Sequence, residues 1–418
     1  MIKESFVGFR NKSIFLFLLL ITTVFLQPNG KLNYLATTLN FVAVLVSLVL
    51  FNTDLRKMFA SKSTTIFFLT YLSYPLLSVM WIKSRPFYDT QLTYIILHVL
   101  IFYISCYYFL ELKRASKYYI KIIPYIAILF LAVCFWELLT ANHLPISKYY
   151  GTPLPIPTGF YLGENHQAFA FSMIFPIICY YYVKEKSYLL KVLYMAILTG
   201  IMVVIFILGA RISILVLLPV FIYVLVKHSS LKIYSTMLIA LMLTTFYLSR
   251  YKATEFELFK KLSINQFASI NSDITSYSLK STQIRINMAK NAFNMFNDSD
   301  FIGVGAGNYD YFSKQGFYAE IGWIENAHSY LFELLANYGL FVLIPFLIFI
   351  GVMAWKLFAL IKLTSGDFQL LARYNLLTLI LFIPLSFLPS SMFSMLLVWI
   401  HLAYIYSFIY KGTAKINE

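Results

Sequence analysis

Residues 191–227 read KVLYMAILTGIMVVIFILGARISILVLLPVFIYVLVK, an apolar stretch bracketed by two lysines, between which Arg211 is the one charged side chain. At about 20 residues per membrane span it is too long for one helix and right for two, with the turn at Leu208-Gly209-Ala210. Its apolar residues are continuous rather than alternating, which is the pattern of helices and not of barrel strands. Without that turn the chain would have eleven spans instead of twelve, and its ends would lie on opposite sides of the membrane.

The rest of the chain is of the same kind. Of its 418 residues 60% are hydrophobic and 12% charged, and the mean hydropathy is +0.74. No soluble domain could hide that much apolar surface, so the expected fold is an all-α polytopic membrane protein. Cys106, Cys134 and Cys179 stand singly in apolar runs, which argues against zinc and against a disulfide framework. The net charge of +15 collects between apolar runs, so it reports topology rather than a nucleic-acid partner. The first apolar run ends in Gln27-Pro28-Asn29-Gly30 without a small-x-small cleavage site and is expected to be retained.

Spans are predicted near 13–27, 33–52, 64–82, 91–111, 118–139, 165–184, 189–207, 210–227, 230–249, 328–355, 370–388 and 391–410. With this layout 20 of the 33 Lys and Arg fall at the termini and in even-numbered connections, against five in the short odd-numbered ones. By the positive-inside rule the termini are cytoplasmic. The chain then divides into helices 1–9 over 1–249, an extracytoplasmic (periplasmic) loop over 250–327, and helices 10–12 over 328–418. The bilayer is the one partner that composition alone requires.

A loop of that length should carry structure of its own. In Thr282–Phe296, TQIRINMAKNAFNMF, Ile284, Met288, Ala292 and Met295 recur at helical spacing, which predicts an amphipathic helix suited to the membrane surface. Its Arg285 is either a snorkelling anchor or a phosphate ligand. Next comes GVGAGNY, Gly303 to Tyr309, whose alternate glycines lack the strand and helix of a dinucleotide fold and predict a tight, ligand-approachable turn. Asp298-Ser299-Asp300 reads as a turn cap in preference to a metal site. The loop closes on Glu325-Asn326-Ala327-His328-Ser329. A histidine at a helix start tends to stay neutral and able to take a proton, with Glu325 placed to orient it, but a capping role fits the local pattern too.

Two further features face the same side. Arg211 is a charge inside the most apolar stretch, which is a functional hypothesis by default. The connection 142–165 holds Pro153, Pro155 and Pro157, then TGFYLGENH with Glu164 and Asn165, and suits either a cleft wall or a plain extended connector. Two arginines, a histidine and a loop at the outer leaflet would suit a lipid-linked diphosphate. Arginine forks hold phosphate oxygens, and a good leaving group needs little beyond a base and positive charge, so no metal or other cofactor is called for. A transporter would be expected to show internal repeats and charges at mid-depth in several spans, and neither pattern is visible.

Over Arg285 to Leu340 the chain resembles the bacterial O-antigen ligase and polysaccharide polymerase superfamily. The elements are an arginine-bearing helix, GVGAGNY and AHSYLFELLANYGL. The ligase pattern of His, then Asn, Ser or Gln, nine residues and Gly is met by His328, Ser329 and Gly339. Its last position, usually Gly, Thr or Tyr, is Val342. The accompanying R-x-x-x-L is met by Arg211 and Leu215. The resemblance implies transfer of an undecaprenyl-diphosphate-linked oligosaccharide at the periplasmic face of the inner membrane. His328 would be the base, Arg211 and Arg285 would hold the diphosphate, and Glu325, Asn308, Glu164 and Asn165 would support or contact substrate. The acceptor would be a second lipid-linked repeat for a polymerase and the lipid A core for a ligase, possible partners including other surface-polysaccharide assembly proteins. The segment PTGFYLGENHQAFAF and the departure at Val342 lean toward a polymerase.

Overall fold

The computed structural model describes residues 16–26, 38–39, 41–42, 61–112, 114–229, 281–321, 326–389 and 391–417. Most of the predicted span 33–52, all of the span 230–249 and the residue Glu325 lie outside them. Among the described residues the regular structure is helical throughout: α1 (Leu16–Leu26), α2 (Lys62–Ser78), α3 (Arg85–Glu111), α4 (Ala115–Thr140), α5 (Glu164–Lys184), α6 (Tyr188–Ile207), α7 (Arg211–His228), α8 (Ser281–Asp298), α9 (Asn308–Lys314), α10 (Tyr330–Leu363), α11 (Gly366–Leu385) and α12 (Leu397–Asn417). Six of them, α3, α4, α6, α7, α10 and α11, are long and apolar enough to cross a bilayer. The chain is a polytopic membrane protein.

The turn that decided the reading is present. α6 ends at Ile207, Gly209 takes φ +62°, and α7 begins at Arg211. Other boundaries move by a few residues, mostly outward. The last predicted span starts six residues later than expected, because 391–396 forms turns.

The chain forms two compact units. The first comprises residues 1–122, 280–380 and 389–418, and the second 123–279 and 381–388. In the first, α3 packs against α12, α2 against α10, and α8 against α10. Its interior is aromatic: Trp399 stacks on His98 with ring centroids 4.6 Å apart and on Tyr71 at 5.7 Å. The second unit is built on α5, α6 and α7, which touch one another in all three pairs.

The predicted loop helix exists as α8, but its environment differs from the expectation. Met288, Ala292 and Met295 are fully buried, the latter two with Tyr309, Ala327 and Ala336. The apolar face is therefore spent on protein rather than on the membrane surface. This choice depends on what folds over the helix, which periodicity cannot report.

Candidate active site

In the first unit the geometry is set by a break in α10. Gly339 has φ 58° and ψ −155°, so the helix is two pieces, 330–338 and 340–363. A break leaves carbonyl and amide groups without helical partners, which is costly inside a membrane protein unless other backbone takes them up. The glycine turn does so. Val304 N–H donates to Ala336 O at 2.8 Å, Gly305 N–H to Asn337 O at 2.9 Å, and Leu340 N–H to Phe301 O at 3.2 Å. Glycine is needed on both sides of the crossing. A Cβ on Gly303 would lie 2.4 Å from Gly339 N, and one on Gly339 would lie 2.2 Å from Ile302 O.

This corrects the expectation of a ligand-approachable turn, because its amides are already used. Gly303 N–H donates to Ser299 Oγ (2.9 Å), Ala306 N–H to Ser78 Oγ (3.2 Å), Gly307 N–H to Gln91 Oε1 (2.9 Å) and Tyr309 N–H to Asn337 Oδ1 (2.9 Å). Tyr338 Oη–H donates to the same Gln91 Oε1 at 2.6 Å. Asn308 is 1% exposed; its Oδ1 accepts from Lys83 N–H at 2.8 Å and its Nδ2–H donates to Val304 O. Asn308 thus ties the turn to the α2–α3 connection. Asp298 and Ser299 act locally: Asp298 Oδ2 accepts from Tyr318 Oη–H at 2.9 Å, and burial, reinforced by this bond, pushes the Tyr318 phenol up to about 12.

His328 lies just before α10. The capping residue is Ser329, whose Oγ accepts from Phe332 N–H at 3.4 Å. His328 itself is half-buried with a left-handed backbone, φ 48°. For a residue with a Cβ that conformation costs about 1 kcal/mol or more. Ala327 is packed in one cluster with Ala292 and Met295 of α8, so His328 and the helix carrying Arg285 belong to one packed assembly. Arg285 is exposed near the start of α8. One turn into α10, Glu333 is 1% exposed, with the Ser391 hydroxyl and the Met392 amide near its carboxyl group. A buried carboxylate beside the motif was not singled out from sequence, although an acidic residue opening an apolar helix is a usable signal.

The second unit holds Arg211, Glu164 and Asn165. Arg211 is the first residue of α7, and its side chain is exposed. Short turns join α5, α6 and α7, so α5 and α7 run in the same direction. Ser172 Oγ–H donates to Ser213 Oγ at 2.9 Å, which fixes their register. At 1.5 Å per residue, Arg211 sits roughly 9 Å deeper than the start of α5, level with Ala170. Glu164 opens α5 and pairs with Lys148 at 2.8 Å, while Asn165 is half-buried. Burial pulls the Lys148 pKa down, but the Glu164 carboxylate more than offsets this and leaves it raised.

The connection 142–163 is held by residues that the sequence reading missed. Glu137, near the end of α4, accepts through Oε2 from Thr158 N–H (2.8 Å) and Gly159 N–H (2.7 Å), and through Oε1 from Thr158 Oγ1–H (3.2 Å). His143 Nδ1 lies 3.1 Å from Glu137 Oε1, and its Nε2 bonds Leu154 O at 2.7 Å. Both side chains of this pair are completely buried. The connection is thus a fixed wall rather than a slack linker. A glutamate inside the apolar run FWELLT was the signal available.

Residues 170–347 match the profile of the O-antigen ligase family. The match includes Arg211, Arg285, Asn308, His328 and Gly339 and begins after Glu164 and Asn165. The chain is also 25% identical over 352 residues to the teichuronic acid biosynthesis protein TuaE of Bacillus subtilis (strain 168), covering 82% of this chain and 70% of that protein.

Proposed function

For a chain that carries an O-antigen ligase family domain over residues 170–347, we propose the function of a surface-glycan polymerase. It transfers an undecaprenyl-diphosphate-linked oligosaccharide to a second lipid-linked repeat unit on the extracytoplasmic face. The observation that carries this reading is the position of Arg211. A guanidinium stands on the first residue of an apolar helix, next to backbone N–H groups that the helix leaves unpaired. Fork and helix terminus together make an anion site for a diphosphate whose lipid lies in the bilayer.

His328 takes the proton of the acceptor hydroxyl. The freed oxygen bonds to the anomeric carbon of the donor glycan, and the bond from that carbon to the diphosphate oxygen breaks. Undecaprenyl diphosphate departs with the electron pair, its charge held by Arg211 and Arg285. The left-handed backbone at His328 supports a functional role, since such strain is retained where geometry matters. Glu164 and Asn165, on the wall fixed by Glu137, contact the glycan. The relative named for teichuronic acid biosynthesis favours polymer assembly over transfer to lipid A core.

The test is glycan size in a deletion strain carrying wild type, His328→Ala or Arg211→Ala, with the lipid A core resolved on the same gel where the host makes one. Single repeats in the deletion strain and in both variants support the polymerase. Loss of all glycan from the core, with long lipid-linked chains accumulating, makes the protein a ligase. Normal chain lengths in both variants at normal protein levels overturn the site.

A further inference from the structure

A cavity of about 340 Å³ lies in the first unit among the start of α2, the second piece of α10 and the end of α12. Its walls divide by chemistry. Val352, Met353, Ile409 and Ala414 are apolar, while Ser61, Thr413, Tyr406 and Tyr410 bring hydroxyls and Lys356 an ammonium group; the Thr413 hydroxyl donates to Ile409 O at 3.0 Å. Among the described residues no carboxylate lines it. Lys356 is half-buried and is in none of the ion pairs found among the described residues. Neighbouring cations are engaged elsewhere: Lys411 Nζ–H donates to Phe109 O, and Lys362 lies 4.5 Å over the Phe358 ring.

The level of the cavity is set by its surroundings. Lys62, Lys362, Lys411 and Lys415 crowd these helix ends, and Trp355, 69% exposed, stands beside Lys356. Lysines and an indole gathered at helix ends mark a membrane–water boundary. By the charge count this is the cytoplasmic one, across the bilayer from the proposed transfer site. A cation with a hydroxyl beside apolar side chains at the interface matches a phosphate carried on acyl chains. Basic pockets between membrane helices on this side characteristically take anionic headgroups.

We propose that this cavity binds the headgroup of an anionic glycerophospholipid, with the Lys356 ammonium and the Ser61 hydroxyl donating to the phosphate oxygens, and the acyl chains running along Val352, Met353 and Ile409. It is a second lipid site, independent of the glycan chemistry.

The test uses the full chain, purified, delipidated and exchanged against vesicles of phosphatidylglycerol or phosphatidylcholine, with retained lipid counted by native mass spectrometry. Wild type is expected to retain phosphatidylglycerol and not phosphatidylcholine. Lys356→Gln should weaken retention about fivefold, the effect of one lysine at an anionic surface, with Lys356→Arg restoring it and Lys362→Gln leaving it unchanged. Equal retention of the two lipids, or an equal loss in Lys362→Gln, overturns the proposal. So does binding of inorganic phosphate alone strong enough to displace the lipid. If Lys356→Gln does not fold, photolabelling of wild type with a diazirine-bearing phosphatidylglycerol decides: adducts within 352–356 and 406–414 support the site, and adducts elsewhere overturn it.

Discussion

Gly303 and Gly339 cross backbone to backbone, so near that a Cβ on either would overlap main-chain atoms of the other segment at 2.2 to 2.4 Å. One lies in the glycine turn and the other at the break of α10, and hydrogen bonds on both sides of the crossing satisfy the groups freed by the break. The piece of α10 that carries Glu333 and follows His328 is therefore held in place by the loop, not by continuity with its own helix.

Gly339→Ala combines a left-handed backbone with a clash against Ile302 O. The expected loss is about 3 kcal/mol or more, and the protein should fail to accumulate. Gly351→Ala, in the same helix with open space around it, should stabilise by about 0.5–1 kcal/mol. Thermal unfolding in detergent followed by size-exclusion fluorescence compares the two, and equal behaviour would remove the crossing as a structural determinant.

Gln91 receives hydrogen bonds from Gly307 N–H and Tyr338 Oη–H at one oxygen. Gln91→Ala leaves both donors buried and unpaired, at about 1–3 kcal/mol for each group left unmatched. Gln91→Glu keeps the acceptor and should recover part of the loss. The check is the unfolding temperature of the purified variants, with a fall in Gln91→Ala that Gln91→Glu partly reverses.

Glu137 and His143 form a buried pair whose remaining hydrogen-bonding positions are filled by the 142–163 wall. Removing one partner by Glu137→Ala should cost about 3–5 kcal/mol and open the wall to protease. Limited proteolysis between 144 and 158, absent in wild type, is the expected readout. An intact wall in Glu137→Ala would show that the prolines alone hold it.

In a purified assay with a lipid-linked repeat unit, His328→Ala should lower the transfer rate about 100- to 10,000-fold, the range for loss of a general base. Arg211→Lys keeps the charge but not the planar fork, so it should retain more activity than Arg211→Ala, with the donor KM raised. Identical rates for Arg211→Lys and Arg211→Ala would argue against a diphosphate at that position.

Glu164 and Lys148 form a partly exposed pair, so Glu164→Gln should change stability by less than about 1 kcal/mol. If Glu164 contacts the glycan, the same variant should raise the acceptor KM with little change in kcat. An unaltered KM would confine Glu164 to its ion pair.

The sequence by itself determined the membrane class, the boundaries of the described spans to within eight residues, the turn before Arg211 and the amphipathic helix of the loop. Each follows from local rules: continuous apolar runs require a bilayer, the helical period survives without tertiary context, and glycine between two spans marks a turn. The neighbourhood of His328 and its motif was visible as spacing only. Tertiary structure decided that the glycine turn consumes its own amides, that Gly339 breaks α10, that Ser329 rather than His328 caps it, and that α8 packs on protein. It also decided the pairing of Glu137 with His143 and the cavity at Lys356. The reason is the same in each case. Hydrogen bonds and close backbone crossings join residues distant in sequence, as between Gly303 and Gly339 or Gln91 and Gly307, and no pattern within one segment records what another segment will bring to it.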